Sequence, residues 1–96
     1  RQVNKIHKAA ADLVKAKTQS DMIISLYEDL TEDEARVYKR GRNAKAITRA
    51  KNASMGDYRR ATGFEAVMGY LYLTEQSERM MELIKKGLNN IKEDKE

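Results

Sequence analysis

Ala61-Thr62-Gly63-Phe64-Glu65-Ala66-Val67-Met68-Gly69-Tyr70-Leu71-Tyr72-Leu73-Thr74 decides the fold, because Glu65 is its only charged residue. The chain as a whole is 35% charged, so a stretch this clean reads as a buried helix. A carboxylate is rarely buried without a cationic partner. One helical turn either side of Glu65 lie Ala61, Thr62, Met68 and Gly69, none of them basic. The compensating charge must then come from elsewhere in the fold or from a bound metal ion. Both a functional and a structural role stay open, since buried ion pairs also perturb carboxylates. Gly63 and Gly69 each cost about 1 kcal/mol in a helix interior, which points to close approach of another backbone or a ligand.

The spacing around this stretch is helical throughout, and Pro is absent. Val3, Ile6, Ala9, Ala10, Leu13 and Val14 recur at three- and four-residue steps. A second helix is expected from about Lys17 to Leu30, with Met22, Ile23, Leu26 and Tyr27 inward. Thr31-Glu32-Asp33-Glu34 reads as a capping box whose three acids suit the positive end of a helix dipole. That third helix is expected to end near Gly41, as a left-handed cap after Lys39 and Arg40. Between Arg42 and Gly56 no period survives, and a long loop is expected. A fourth helix follows from about Asp57 to Leu73. A fifth runs from about Ser77 to Ile91, with Met80, Met81, Ile84, Leu88 and Ile91 inward. The fold class is all-α, one compact domain of about five helices.

The formal charge of +4 hides a segregation. Lys39, Arg40, Arg42, Lys45, Arg49, Lys51, Arg59 and Arg60 stand against Asp57 alone between residues 39 and 60. The remainder of the chain is therefore net acidic, and the basic block points to a polyanion. Without Cys there is no disulfide or thiolate metal site, and a single His7 excludes a histidine metal cluster and a Ser-His-Asp triad. Any metal would be a hard cation on oxygen ligands, such as Mg²⁺. No apolar run spans a bilayer and the first ten residues do not form a signal peptide. A soluble, cytoplasmic protein without membrane partners is expected. His7 reads better as surface or local packing than as a general base. Tyr70 and Tyr72 read better as core or dimer packing than as base-stacking platforms, although Tyr58 and both of these have rings that could stack.

The run Tyr58-Arg59-Arg60-Ala61-Thr62-Gly63-Phe64-Glu65-Ala66-Val67-Met68-Gly69-Tyr70-Leu71-Tyr72-Leu73 resembles the second conserved helix of ribonuclease III domains. More narrowly the chain resembles the Mini-III ribonuclease branch, which lacks a double-stranded-RNA-binding domain. Lys39-Arg40-Gly41-Arg42-Asn43-Ala44-Lys45 is similar to a basic loop of that branch. Ile6-His7-Lys8 and Val14-Lys15-Ala16-Lys17-Thr18-Gln19 are similar to its preceding helix pair, and Thr62 stands where the larger enzymes carry Asp.

The resemblance implies a Mg²⁺-dependent endoribonuclease that cleaves double-stranded RNA as a homodimer, with precursor 23S ribosomal RNA as the branch's substrate. Glu65 would be catalytic as a metal ligand. Lys39, Arg40, Arg42, Asn43, Lys45, Arg49 and Lys51 would contact RNA. The family's first active-site helix, with a Gly-Asp-Ala-type motif and its catalytic Asp, is expected before Arg1; Asp12 and Asp21 lack that context. Residues 1–96 would then be the C-terminal portion of a ribonuclease III-like catalytic domain. Two other classes compete with this reading. One is a non-catalytic helical RNA-binding module in which Glu65 pairs with Arg59 or Arg60 of a partner subunit. The other is a plain helical interaction domain.

Overall fold

Local signals set the helix boundaries in the computed structural model, which describes residues 15–44 and 54–95. Four α-helices are present there and no strand: α1 (Ala16–Leu26), α2 (Glu32–Asn43), α3 (Met55–Leu73) and α4 (Ser77–Lys95). The all-α class holds. The apolar segment at residues 3–14 and the loop interior at 45–53 lie outside the described residues.

In α1 the residues Gln19, Met22, Ile23 and Leu26 are buried, the three- and four-residue spacing of one helix face. A 3₁₀ turn at Tyr27–Asp29 ends α1 before the expected Leu30 and leaves Tyr27 at the surface. Leu30 and Thr31 are extended, and α2 begins on the capping box. The Thr31 hydroxyl accepts from the Glu34 backbone N–H at 3.1 Å, and Glu34 Oε1 accepts from the Thr31 N–H at 3.0 Å. α3 starts two residues early because Ser54 supplies its own cap, its hydroxyl accepting from the Asp57 N–H at 3.0 Å.

Gly41 corrects an expectation. It is not a left-handed cap: no glycine among the described residues has positive φ, and α2 continues to Asn43. Its lack of a side chain serves a helix crossing. A Cβ placed there would lie 2.7 Å from the Ala66 Cβ, 3.1 Å from the Gly63 Cα and 3.2 Å from the Thr62 carbonyl. Gly63 answers from α3, where a Cβ would lie 2.6 Å from the Tyr38 ring and 2.9 Å from the Tyr38 carbonyl. The close approach expected at Gly63 is therefore made to α2 of the same chain. At Gly69 nothing among the described residues lies within 4 Å.

This contrast fixes the sign of two substitutions. Within one copy Gly69→Ala meets nothing among the described residues within 4 Å, so it should stabilise the monomer by about 1 kcal/mol through helix propensity. Gly63→Ala gains the same propensity but drives a methyl into a ring and a backbone carbonyl. Overpacking of this kind costs about 1–3 kcal/mol and outweighs the gain. Urea melts of the full-length variants, run at concentrations where sedimentation shows a monomer, should move in opposite directions.

The core joins Met22, Ile23 and Leu26 of α1 with Tyr38 of α2, Phe64, Val67 and Leu71 of α3 and Leu83 of α4. Each side chain of this size contributes about 1.5–3 kcal/mol on burial. The inner face of α4 is rotated from expectation: Leu83 is buried and Met81 exposed, with Met80, Ile84, Leu88 and Ile91 packed at the margin. Gly87 sets this rotation, because a Cβ there would meet Met22 and Leu26.

Among the described residues the buried carboxylate is Glu34, at 2% exposure. Arg79 of α4 holds it with two parallel bonds, Nε to Oε2 and Nη2 to Oε1, both 2.9 Å. Nη2 also donates to the Asp29 carbonyl at 2.8 Å, and Nη1 to Glu82 at 2.9 Å. The Arg79 guanidinium holds the Glu34 carboxyl below the ordinary range against the opposing pull of burial. The arginine is raised in turn, chiefly by Glu34. One side chain thus caps α2 and anchors it to α4.

Candidate nucleic-acid interface

Glu65 lies on α3 and is exposed, against the expectation of burial. The core face of α3 is Ala61, Phe64, Val67 and Leu71, and Glu65 points away from it. Its apolar neighbours misled because α3 is apolar on both faces. Tyr72 is 67% exposed and Leu73 80% exposed, while Gly69 faces open space. Such a face carries apolar groups that stay open to water among the described residues. Tyr70 packs on the core margin and Tyr58 is half-buried. Of the two placements expected for Tyr72, core or dimer packing, the first is not found among the described residues.

Glu65 makes no ion pair or side-chain hydrogen bond among the described residues. The competing reading pairs Glu65 with Arg59 or Arg60 across a subunit interface; within this chain Glu65 has no such partner among the described residues. Arg60, one suggested partner, is already engaged. Its Nε donates to Ser20 Oγ of α1 at 2.6 Å and its Nη2 to Asp57 Oδ1 at 3.2 Å. The Ser20 hydroxyl, and then Arg60, hold the Asp57 carboxyl below its ordinary range. Asp57 and Arg60 so satisfy one another at the root of α3, clamping α3 to α1. Asp57 is thereby spent on Arg60, and the block has no second acid to set against its other cations.

The basic end of α2 docks beside the turn of α3 that carries Glu65. Gly41, between Arg40 and Arg42, abuts Thr62, Gly63 and Ala66. Sequence neighbours of that glycine are therefore placed along the Glu65 turn by backbone packing and not by a flexible linker. Lys39, Arg40 and Asn43 are exposed. Lys39 and Arg40 make no ion pair among the described residues. Arg42 is half-buried, with its guanidinium 5.5 Å from the Tyr38 ring centroid and its Nε donating to Asn43 Oδ1 at 3.3 Å. Lys45, Arg49, Lys51 and His7 lie outside the described residues.

Glu65 offers one hard oxygen donor on a rigid helix, the right chemistry for a ligand to Mg²⁺. Among the described residues no group of three or more His, Asp or Glu side chains converges to hold a metal. Glu65 thus fits as a single ligand, and these residues do not make a metal centre by themselves. No helix among them is long and apolar enough to cross a membrane.

The described residues thus form an all-α domain with a carboxylate on a glycine-crossed helix beside a basic helix end. The family described as Ribonuclease III domain matches residues 1–76. The Mini-ribonuclease 3 of Staphylococcus aureus is 39% identical over 92 residues, covering 94% of this chain and 69% of that protein. The chain belongs to the ribonuclease III domain family, in its Mini-ribonuclease 3 branch. The Mini-ribonuclease 3 of Clostridium tetani is 53% identical over 87 residues, and that of Brevibacillus brevis 49% over 84. These alignments cover 91% and 88% of this chain but only 58% and 63% of those proteins. The chain thus spans about three fifths of the length of these two relatives.

Proposed function

We propose that the full-length protein is an endoribonuclease acting on double-stranded RNA, with precursor 23S ribosomal RNA as its substrate and a homodimer as its working form. The observation that carries this reading is the placement of an exposed Glu65, unpaired among the described residues, beside the basic end of α2, held there by the Gly41 crossing. Phosphate neutralisation and a hard oxygen ligand then stand on one side of the domain. Duplex RNA is recognised mainly by shape and phosphate, so side chains such as Lys39 and Arg40 suit it without base readout.

In this reading Glu65 is one ligand of a catalytic Mg²⁺, whose other ligands come from outside the described residues. A divalent cation bound there would supply an activated water and stabilise charge on the leaving oxygen. The contribution of this chain's own residues is positional. α3 holds the carboxylate rigidly, and α2 presents cations to the flanking phosphates. The uncovered face of α3, with Gly69, Tyr72 and Leu73, is where a second copy would cover apolar surface. Sedimentation of the full-length protein reads that association directly.

The electrostatic part is tested by replacing Arg40, Arg42 and Lys45 with Ala in the full-length protein. Binding to duplex RNA should weaken at low salt. The dependence of log affinity on log salt should flatten by about one unit for each phosphate that is no longer neutralised. A triple variant with the wild-type slope would show that these residues do not touch the backbone.

A further inference from the structure

Where α1 meets α2 there is a groove of about 260 Å³ lined by Ile23, Ile24, Tyr27, Tyr38 and Arg42. Its walls are apolar, its rim holds one cation, and no acid lines it among the described residues. Ile24 is 59% exposed and Tyr27 38% exposed, so both offer apolar surface to an occupant. The Tyr27 ring meets the Tyr38 ring edge-on, with centroids 5.7 Å apart. Tyr38 is fixed in turn by Gly63 behind it and by the Arg42 guanidinium over its face. The aromatic and the cation are thus held in place before anything binds.

We propose that this groove receives an unpaired nucleotide of the bound RNA, its base against Ile24 and Tyr27 and its phosphate near Arg42. This deepens the duplex-RNA reading above and rests on it. The chemistry distinguishes this occupant from an apolar peptide. Arg42 shares the last turn of α2 with the exposed Arg40, so the cation at the groove's rim belongs to a basic helix end. A flat apolar ring joined to an anion fits such a site, and unpaired bases are recognised by stacking on aromatic rings and guanidinium planes. The consequence is a substrate preference that shape readout alone does not give: a duplex interrupted by an unpaired base over a perfect one.

The test uses full-length protein in chelator, so that no strand is cut. It is titrated with a blunt RNA duplex and with duplexes carrying one bulged adenosine at successive positions. At one register the bulged duplex should bind about tenfold more tightly than the blunt one, the scale of one stacked base. That ratio should fall to about one in Ile24→Ser and in Tyr27→Ala, with thermal melts confirming that both variants fold. Ile24 is the safer probe because most of its surface is already in water. Equal binding of blunt and bulged duplexes at every register would overturn the inference and leave the duplex reading standing. So would a preference that survives in both variants. If no duplex binds at all, the duplex-RNA reading itself fails and takes this one with it. If an acidic peptide shifts the Ile24 methyl resonances and the bulged duplex does not, the groove is a protein-docking site and the inference is wrong.

Discussion

Glu65→Gln in the full-length protein should abolish Mg²⁺-dependent cleavage of duplex RNA and leave the thermal melt where it was. The side chain keeps its shape and hydrogen-bonding capacity but loses the anionic charge that a hard divalent cation requires. Loss of such a ligand removes the function rather than trimming it, and second-sphere changes alone already cost about 10–100-fold. Stability should move by no more than about 0.5 kcal/mol, the ordinary range for surface substitutions away from structural features. The reason is concrete: Glu65 is exposed, and no cation among the described residues depends on it. RNA affinity in chelator should be retained, since the cations that meet phosphate lie on α2. Cleavage assays at graded Mg²⁺, run beside a melt, check both halves. A variant that cuts at the wild-type rate would remove Glu65 from the metal site. One that melts far earlier would return it to the structural class.

The residues whose roles are local were legible in the sequence, and those whose roles depend on distant partners were not. The Thr31–Glu34 box closes within one turn, so its spacing alone specified the bonds found at 3.0 and 3.1 Å. Met22, Ile23 and Leu26 fall inward as their spacing requires. Gly41 was ambiguous because a helix cap and a helix crossing both demand glycine, and only its approach to Ala66 distinguishes them. Glu65 was placed in the interior because composition reports how apolar a helix is and not which faces are covered. Among the described residues α3 has an apolar core face and an apolar face still open to water, and Glu65 stands away from the first. The family motif singles out the same residue on other grounds, since a metal ligand's chemistry depends on the carboxylate's position and not on its burial. The basic block was visible as charge. That Arg60 reaches across to Ser20, forty residues away on α1, needed three dimensions.

The buried ion pair that the sequence suggested for Glu65 exists, but it is Glu34 with Arg79. Its disruption should cause the largest loss of stability in the domain. The two partners are unequally buried: the Glu34 side chain is 3% exposed and that of Arg79 is 24%. The cost of breaking a pair is set mainly by the charge left behind. Glu34→Ala strands an arginine that still reaches water, Glu82 and the Asp29 carbonyl, and should cost about 3 kcal/mol. Arg79→Ala strands a carboxylate with only the capping bonds, and should cost more, about 4–5 kcal/mol. Glu34→Gln keeps the box, since Gln serves at the same position, and should fall between wild type and Glu34→Ala. The pH dependence separates the variants further. In the wild type the folded-state pKa of Glu34 is lowered, so its contribution is fully present above the unfolded value of about 4.3. It is lost as pH falls through the folded value. In Arg79→Ala the arginine's pull is gone, so the folded pKa of Glu34 lies above its wild-type position, with desolvation raising it and the Thr31 bonds still lowering it. The variant therefore loses less stability than wild type as the carboxylate protonates, and its deficit should shrink as pH falls from about 6 to about 3. Glu34→Gln has no group to titrate, so its deficit should shrink only as the wild type itself loses the pair in acid. Urea titrations of the full-length protein and the three variants across that pH range provide the comparison. Parallel curves for wild type and Arg79→Ala would mean that Glu34 and Arg79 are not coupled as the structure places them.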